Sequence, residues 1–129
     1  MAQTVVVVDD SKFLIKQIVE FFDKQLGFQV LAAGNDGNEA IELYKQHKPD
    51  LITLDITMPN KDGMEALKEI VKEFPNANVL MISAVRGSAM LECMNAGAKG
   101  YIEKPLKFGN TEFVTDFKET VNEIFSDKP

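Results

Sequence analysis

The chain has 129 residues, of which 45% are hydrophobic, which is enough for one compact domain and too little for two. With 14 basic and 20 acidic residues the net charge is −6, and no Lys/Arg cluster could follow a phosphate backbone, so we expect no nucleic-acid partner. Neither a signal peptide nor a run of about twenty apolar residues is present, and the single Cys93 allows no internal disulfide, so we expect a cytoplasmic protein without membrane contact.

Short apolar runs alternate with helical patterns along the chain. The runs predict five strands over residues 4–8, 29–33, 51–54, 79–83 and 100–104. Apolar residues at helical spacing predict helices near residues 13–26, 38–47, 64–74, 88–96 and 111–125. We expect residues 127–129 to be frayed. The connection over residues 106–110 is long, and its sequence indicates no role.

This alternation predicts an α/β fold with a parallel sheet. The strand over residues 4–8 is continuously apolar rather than alternating, which is typical of burial on both faces. Strands that alternate with helices at this spacing favour helices on both sides of the sheet and right-handed crossovers. The core is expected to span about residues 4–125.

Polar residues follow or end four of the predicted strands. Asp9 and Asp10 follow the first strand, Asp55 follows the third, Ser83 ends the fourth and Lys104 ends the fifth. The carboxyl ends of parallel strands lie at one edge of the sheet, where such folds bind ligands. Carboxylates gathered there would repel one another unless a divalent cation or the lysine ammonium lay among them.

Oxygen ligands of this kind suit Mg²⁺ or Mn²⁺. Mg²⁺ usually binds through one or two carboxylates together with a phosphate, which indicates phosphoryl chemistry. Each residue also has an ordinary structural alternative. Asp10 and Ser11 could cap the first helix, Asp55 could cap the next turn, Ser83 could be a strand-end hydroxyl and Lys104 a solvated lysine.

Five motifs resemble those of the receiver domain of two-component signalling. They are Val7-Val8-Asp9-Asp10-Ser11, Asp55-Ile56-Thr57-Met58-Pro59 with Asp62-Gly63, Ile82-Ser83-Ala84, Ala96-Gly97-Ala98-Lys99-Gly100-Tyr101, and Lys104-Pro105. The resemblance spans nearly the whole chain. Within this family, the chain is similar to the stand-alone chemotaxis response regulators of the CheY type. It implies a three-layer, flavodoxin-like (βα)5 fold with a five-stranded parallel sheet in the order 2-1-3-4-5.

The resemblance also implies roles for individual residues. Asp55 is the phosphoacceptor, and Asp9, Asp10, Asp55 and the backbone carbonyl of Thr57 hold Mg²⁺, with Mn²⁺ as an alternative. Lys104 and Ser83 contact the phosphoryl oxygens. Such contacts would neutralise charge on the transferring group.

The resemblance implies that Ser83 and Tyr101 transmit the effect of phosphorylation from the site to the protein surface. The Ser83 hydroxyl would move toward the phosphoryl group, and the Tyr101 ring would turn inward. The surface of the fourth helix, fifth strand and fifth helix would then change. The peptide bond before Pro105 is cis in the family. Met90 and Met94 lie on this surface or beneath it.

The implied partners follow from the same resemblance. A sensor histidine kinase of the CheA type would donate the phosphoryl group, and a target such as a flagellar motor switch protein would bind the phosphorylated form. Thr57 and Val85 stand where the family controls water access, and neither can act as a charged base. The rate of dephosphorylation does not follow from the sequence, and a phosphatase is a candidate partner. We expect a monomeric single receiver domain over residues 1–129, without an output domain and with no external substrate.

Four alternatives compete with this interpretation. A haloacid-dehalogenase-like phosphohydrolase would need an acid two residues beyond Asp55, where Thr57 stands. A flavodoxin-like cofactor module would need a phosphate-cradling glycine loop, which the sparse Gly34 and Gly37 do not provide. A receiver could also serve another phosphorelay, or act unphosphorylated as an interaction module outside motility.

Overall fold

The computed structural model describes residues 2–126, so the predicted fraying of residues 127–129 lies outside it. Its centre is a five-stranded, fully parallel sheet in the order β2-β1-β3-β4-β5. This arrangement confirms the predicted fold class and strand order. The strands are β1 (Thr4–Val8), β2 (Gln29–Gly34), β3 (Leu51–Leu54), β4 (Val79–Ser83) and β5 (Gly100–Glu103).

Five helices connect and cover the strands. They are α1 (Lys12–Glu20), α2 (Gly37–His47), α3 (Gly63–Glu73), α4 (Ala89–Asn95) and α5 (Thr111–Ile124). Four begin at a side chain that accepts a backbone N–H of the first turn, namely Ser11, Asp36, Asp62 and Asn110. The predicted boundaries agree within one or two residues, except that α1 ends early and continues as a π-helical turn, Phe21–Gln25.

Two hydrophobic layers fill the space on either side of the sheet. One lies under α2, α3 and α4 and includes Tyr44, Leu67 and Cys93. The other lies under α1 and α5 and is rich in aromatic residues, with Phe22 and Phe117 fully buried. Burial on both faces explains why β1, β3 and β4 are predominantly apolar rather than alternating.

The connection over residues 106–110 has a structural role that the sequence did not indicate. The Phe108 ring stacks on Phe21, with ring centroids 4.9 Å apart, and meets Phe113 edge-on at 5.8 Å. Offset or edge-on aromatic pairs of this kind add stability beyond the area they bury. The connection is therefore anchored between the π-helical turn after α1 and the first turn of α5.

The sheet register brings the predicted polar residues together. Val8 pairs with Leu54, so Asp9 and Asp55 leave neighbouring strands at the same level, and the Asp55 amide donates to the Val8 carbonyl at 3.2 Å. On the other side of β4, the Lys104 amide donates to the Ser83 carbonyl at 2.9 Å. All four strand ends thus meet at one edge.

Candidate functional site

Three carboxylates and one ammonium group form an acidic pocket at this edge. One carboxylate oxygen from each of Asp9, Asp10 and Asp55 lies within 4.8 Å of the others. The Lys104 Nζ lies 2.8 Å from Asp9 Oδ2 and 3.1 Å from Asp55 Oδ2. Asp9 and Asp55 are buried and Asp10 is exposed, so the pocket opens to solvent on the Asp10 side.

Local structure fixes the two buried carboxylates. Asp9 Oδ1 accepts a hydrogen bond of 2.9 Å from the Ser11 amide, just before α1 begins. Behind Asp55 the chain turns tightly, with the Gly63 amide donating to the Ile56 carbonyl at 2.8 Å. A methyl group at Gly63 would lie 2.0 Å from the Asp55 carbonyl oxygen, so only glycine permits this approach.

The negative charge of the Asp55 carboxylate is only partly compensated by the surrounding groups. Burial and the nearby charge of Asp9 raise the pKa of Asp55 above its ordinary value, and Lys104 only partly offsets them. Burial alone would lower the pKa of Lys104, but the carboxylates of Asp9 and Asp55 outweigh it and raise that pKa. The lysine is therefore a fixed ammonium, and one ammonium does not balance the pocket.

This charge balance and the donor set both fit a divalent cation. The candidate ligands are hard carboxylate oxygens, which suit Mg²⁺ better than zinc. Among residues 2–126 this is the group of acidic, histidine or cysteine side chains close enough together to hold a metal ion. Its open face at Asp10 leaves room for the waters that Mg²⁺ retains.

Ser83 and Tyr101 lie beside this pocket on the neighbouring strands. Ser83 is fully buried and its Oγ accepts from the Val85 amide at 3.1 Å. The hydroxyl of Tyr101 donates to the Val85 carbonyl at 2.6 Å. Burial raises the pKa of Tyr101, so the phenol stays protonated and remains a donor. The two hydroxyls thus bind the same loop residue.

The remaining predicted residues occupy the loops around the pocket. Thr57 is exposed in the loop between β3 and α3, and its carbonyl stays a predicted metal ligand. The peptide bond between Lys104 and Pro105 is cis. Met90 and Met94 lie on the surface of α4, 53% and 41% exposed, so neither is core filler.

Sequence reasoning missed the contacts that the turn between β2 and α2 makes with the loops around the pocket. Asn60 Nδ2 donates to Asp36 Oδ2 at 2.7 Å, and the Gly37 amide donates to the Lys61 carbonyl at 2.8 Å. Asn35 reaches the other side of the pocket, where its Nδ2 lies 3.5 Å from the Asp9 carbonyl oxygen. The Asp36-Gly37 pair was visible in the sequence as a turn signal, but its partner 24 residues away was not.

A cavity of about 440 Å³ lies elsewhere, between α1 and the start of α5. Its walls include Phe21, Phe108 and Val114, with a polar rim containing Glu20 and Lys24. None of the acidic-pocket residues lines it. The carboxylates and the lysine that could carry chemistry therefore lie in the open acidic pocket and not in this cavity.

The parallel α/β fold and the acidic pocket together indicate a receiver domain, and comparison with known proteins identifies the same class. The family model of the response regulator receiver domain matches residues 5–113, and the chain belongs to that family. In the part that the structure describes, no helix is both long and apolar enough to cross a membrane.

Within the family, the chain is similar to several chemotaxis proteins. The chain is 42% identical over 108 residues to the chemotaxis protein CheY of Thermotoga maritima, covering 83% of this chain and 89% of that protein. It is 43% identical to CheY of Bacillus subtilis over the same shares. The crystal structure of the CheX–CheY–BeF3–Mg²⁺ complex from Borrelia burgdorferi superposes with a TM-score of 0.87 at 37% identity, covering 97% of this chain and 90% of that one. The chain is thus a CheY-like receiver.

Proposed function

We propose that this receiver accepts a phosphoryl group on Asp55 from a sensor histidine kinase of the CheA type and signals in chemotaxis. The observation that carries the proposal is the Asp55 carboxylate, which faces Lys104 at 3.1 Å and shares its pocket with Asp9 and Asp10. A carboxylate in this setting can act as a nucleophile, because the neighbouring ammonium group can neutralise negative charge on the phosphoryl group that it accepts.

The proposed reaction is an in-line transfer. An oxygen of Asp55 attacks phosphorus, and the bond from phosphorus to the donor's leaving group breaks, with the electron pair going to that group. Mg²⁺, when bound by Asp9, Asp10, Asp55 and the Thr57 carbonyl, would neutralise charge on the phosphoryl oxygens. The Lys104 ammonium would also neutralise charge on these oxygens, and the Ser83 hydroxyl would donate to a phosphoryl oxygen.

The proposed output runs from the pocket to the face of α4, β5 and α5. Phosphorylation adds about two negative charges and three acceptor oxygens, and it acts at a distance by biasing an element with two arrangements. We propose the loop after β4 as this element, because Ser83 and Tyr101 both hydrogen-bond its residue Val85. The exposed Met90, Leu91 and Met94 would then contact a target such as a flagellar motor switch protein.

A phosphatase partner forms part of the proposal. Neither Thr57 nor Val85 offers a charged side chain that could activate water near the acyl phosphate. The likeness to a CheY solved in complex with CheX supports a dedicated partner protein. We further propose that this receiver domain acts as a monomer in the cytoplasm and turns over no external substrate.

The phosphoacceptor part is tested by incubating the protein with acetyl phosphate and Mg²⁺ and measuring its intact mass. We expect one added phosphoryl group, its absence when EDTA replaces Mg²⁺, and its absence in Asp55→Asn. Addition of phosphoryl to Asp55→Asn would contradict the assignment. A flavin module would not react, and a phosphohydrolase would consume the reagent without retaining the group.

The chemotaxis part needs a separate test in the source organism. A strain lacking the gene should lose chemotactic spreading in soft agar, and the wild-type gene but not Asp55→Asn should restore it. Normal spreading of the deletion strain would contradict the role in motility and favour the alternative of another phosphorelay. It would leave the phosphoacceptor chemistry untouched.

A further inference from the structure

The turn between β2 and α2 contacts both loops that carry the acidic pocket. Its residues Asn35, Asp36 and Gly37 follow β2, which lies beside β1 at the edge of the sheet. On one side Asn35 reaches the Asp9 carbonyl. On the other side Asp36 and Gly37 hold Asn60 and Lys61. This turn is therefore placed to set the distance between the two loops.

The contact with Asn60 and Lys61 is close and specific. Asp36 uses one carboxylate oxygen for the Glu39 amide at 2.8 Å, which caps α2, and the other for Asn60 Nδ2 at 2.7 Å. These hydrogen bonds lower the pKa of Asp36, so the carboxylate is ionised near neutral pH. A methyl group at Gly37 would lie 2.4 Å from the Lys61 carbonyl oxygen, so the backbones touch.

Asn60 is also conformationally suited to this place. Its φ of 68° lies in the left-handed region, which asparagine tolerates better than most residues. The loop between β3 and α3 contains Asp55, Thr57 and Asn60, and Gly63, the first residue of α3, lies against the Asp55 carbonyl. The loop is thus held at its base by Gly63 and at Asn60 by the β2–α2 turn.

The geometry points to Asp36 and Asn60 as positioning residues of the metal site, acting through the loop that carries Thr57. This inference rests on the proposed function, because it assumes that the acidic pocket takes Mg²⁺. Groups that orient metal ligands without touching the ion affect metal affinity, since a ligand that must be reordered on binding binds more weakly. Loss of the Asp36–Asn60 bond should therefore weaken Mg²⁺ binding in the unphosphorylated protein.

Two single variants separate this role from the other duties of the residues. Asp36→Ser keeps a side chain that can cap α2 but is too short for Asn60. Asn60→Gly keeps the left-handed backbone and removes the amide. The control is Asn110→Ala, which removes the cap of α5, where Asn110 Oδ1 accepts from the Phe113 amide at 2.9 Å. That control lowers stability without touching the pocket.

The measurement is the Mg²⁺ dissociation constant from an NMR titration of backbone amides, with thermal unfolding of each protein recorded alongside. We expect Kd to rise about threefold to tenfold in both single variants, which is the fold-change equivalent to one hydrogen bond, and no further in the double variant, because one bond is lost in all three. The control should keep the wild-type Kd at a lower Tm. The Mg²⁺ concentration for half-maximal phosphorylation by acetyl phosphate should rise in parallel, with the maximal rate nearly unchanged.

A wild-type Kd in either folded variant, or additive losses in the double variant, would overturn the inference. Should Asn60→Gly fail to fold, Asp36→Ser decides the question alone. Failure of the wild-type protein to bind Mg²⁺ at all would instead contradict the proposed function. The two failures are therefore distinguishable in one set of titrations.

Discussion

The hydroxyl of Tyr101 donates a 2.6 Å hydrogen bond to the carbonyl of Val85, across the gap between β5 and the loop that follows β4. Val85 in turn donates its amide to the Ser83 hydroxyl at 3.1 Å. Arg86 strengthens the same link, since its guanidinium lies 3.3 Å from Glu103 Oε2. The predicted switch residues Ser83 and Tyr101 are therefore joined through the backbone of Val85. The sequence analysis had considered Val85 only as a position that controls water access.

Tyr101→Phe tests whether this bond carries the signal. The variant should accept a phosphoryl group at the wild-type rate, because Tyr101 makes no bond to Asp55 or Lys104 among the hydrogen bonds of residues 2–126. It should lose about 1 kcal/mol of stability, since the Val85 carbonyl loses a partner. The difference in target affinity between phosphorylated and resting forms should shrink, as measured by pull-down with BeF3-bound protein. An unchanged difference would contradict a signalling role for the hydroxyl.

Asp55→Asn should stabilise the metal-free protein at neutral pH. Burial and Asp9 raise the pKa of Asp55 above 3.8, so the folded state is penalised when this carboxyl ionises. The penalty is present above the folded-state pKa and disappears below the unfolded-state value, so the advantage of Asn should fade as the pH approaches 4. Thermal unfolding in EDTA at several pH values measures this, and a lower Tm for Asp55→Asn at neutral pH would contradict it.

The pKa of Asp36, which lies near the pocket, is shifted in the opposite direction to that of Asp55. Its pKa is lowered by the Glu39 amide and Asn60, so its charge stabilises the fold above the unfolded-state pKa, and that stability is lost as the pH falls through the folded value. Asp36→Asn should therefore lower the Tm at neutral pH and converge with the wild type in acid. The two variants should thus differ in sign when measured together.

Thr53→Val should raise stability. The Thr53 hydroxyl is the buried side-chain polar atom that lacks a hydrogen-bond partner among residues 2–126. Burying an unpaired hydroxyl costs about 1–3 kcal/mol, and valine has nearly the same shape, so we expect a gain of about 1 kcal/mol in urea unfolding. Thr4→Val is the matched control, because the Thr4 hydroxyl bonds Asp50, and its loss should destabilise. A loss of stability in Thr53→Val would show that the hydroxyl has a partner.

Gly63→Ala should damage both the fold and the site. The added methyl group would meet the Asp55 carbonyl oxygen at 2.0 Å, so the loop behind the phosphoacceptor must move. Overpacking of this kind costs about 1–3 kcal/mol. Phosphorylation by acetyl phosphate should slow markedly in the folded variant. Gly109→Ala, with nothing within 4 Å of the added carbon, should match the wild type in both assays.

Much of the acidic pocket could be predicted from the sequence because one rule places it. Parallel strands that are predominantly apolar are buried on both faces, and their carboxyl ends share an edge, so Asp9, Asp55 and Lys104 meet when their strands are neighbours or nearly so. Even a boundary error did not matter. Lys104 lies just beyond β5 rather than at its end, and it still reaches both carboxylates.

The features that the sequence did not indicate depend on contacts between distant loops. The Asp36–Asn60 bond joins two turns whose local signals say only that each is a turn. The stacking of Phe108 on Phe21 depends on how far an irregular connection folds back, which no periodicity encodes. The π-helical turn after α1 likewise departs from the spacing on which helix prediction rests.

The most direct test of the account is to locate the acyl phosphate itself. The protein is phosphorylated with acetyl phosphate and Mg²⁺ and then reduced with borohydride, which converts an aspartyl phosphate to homoserine and leaves free aspartates unchanged. Peptide mass spectrometry then reads each acidic position. We predict homoserine at position 55 alone, absent when Mg²⁺ or acetyl phosphate is omitted. Reduction at Asp9 or Asp10 with Asp55 intact would contradict the assignment of Asp55 as the phosphoacceptor.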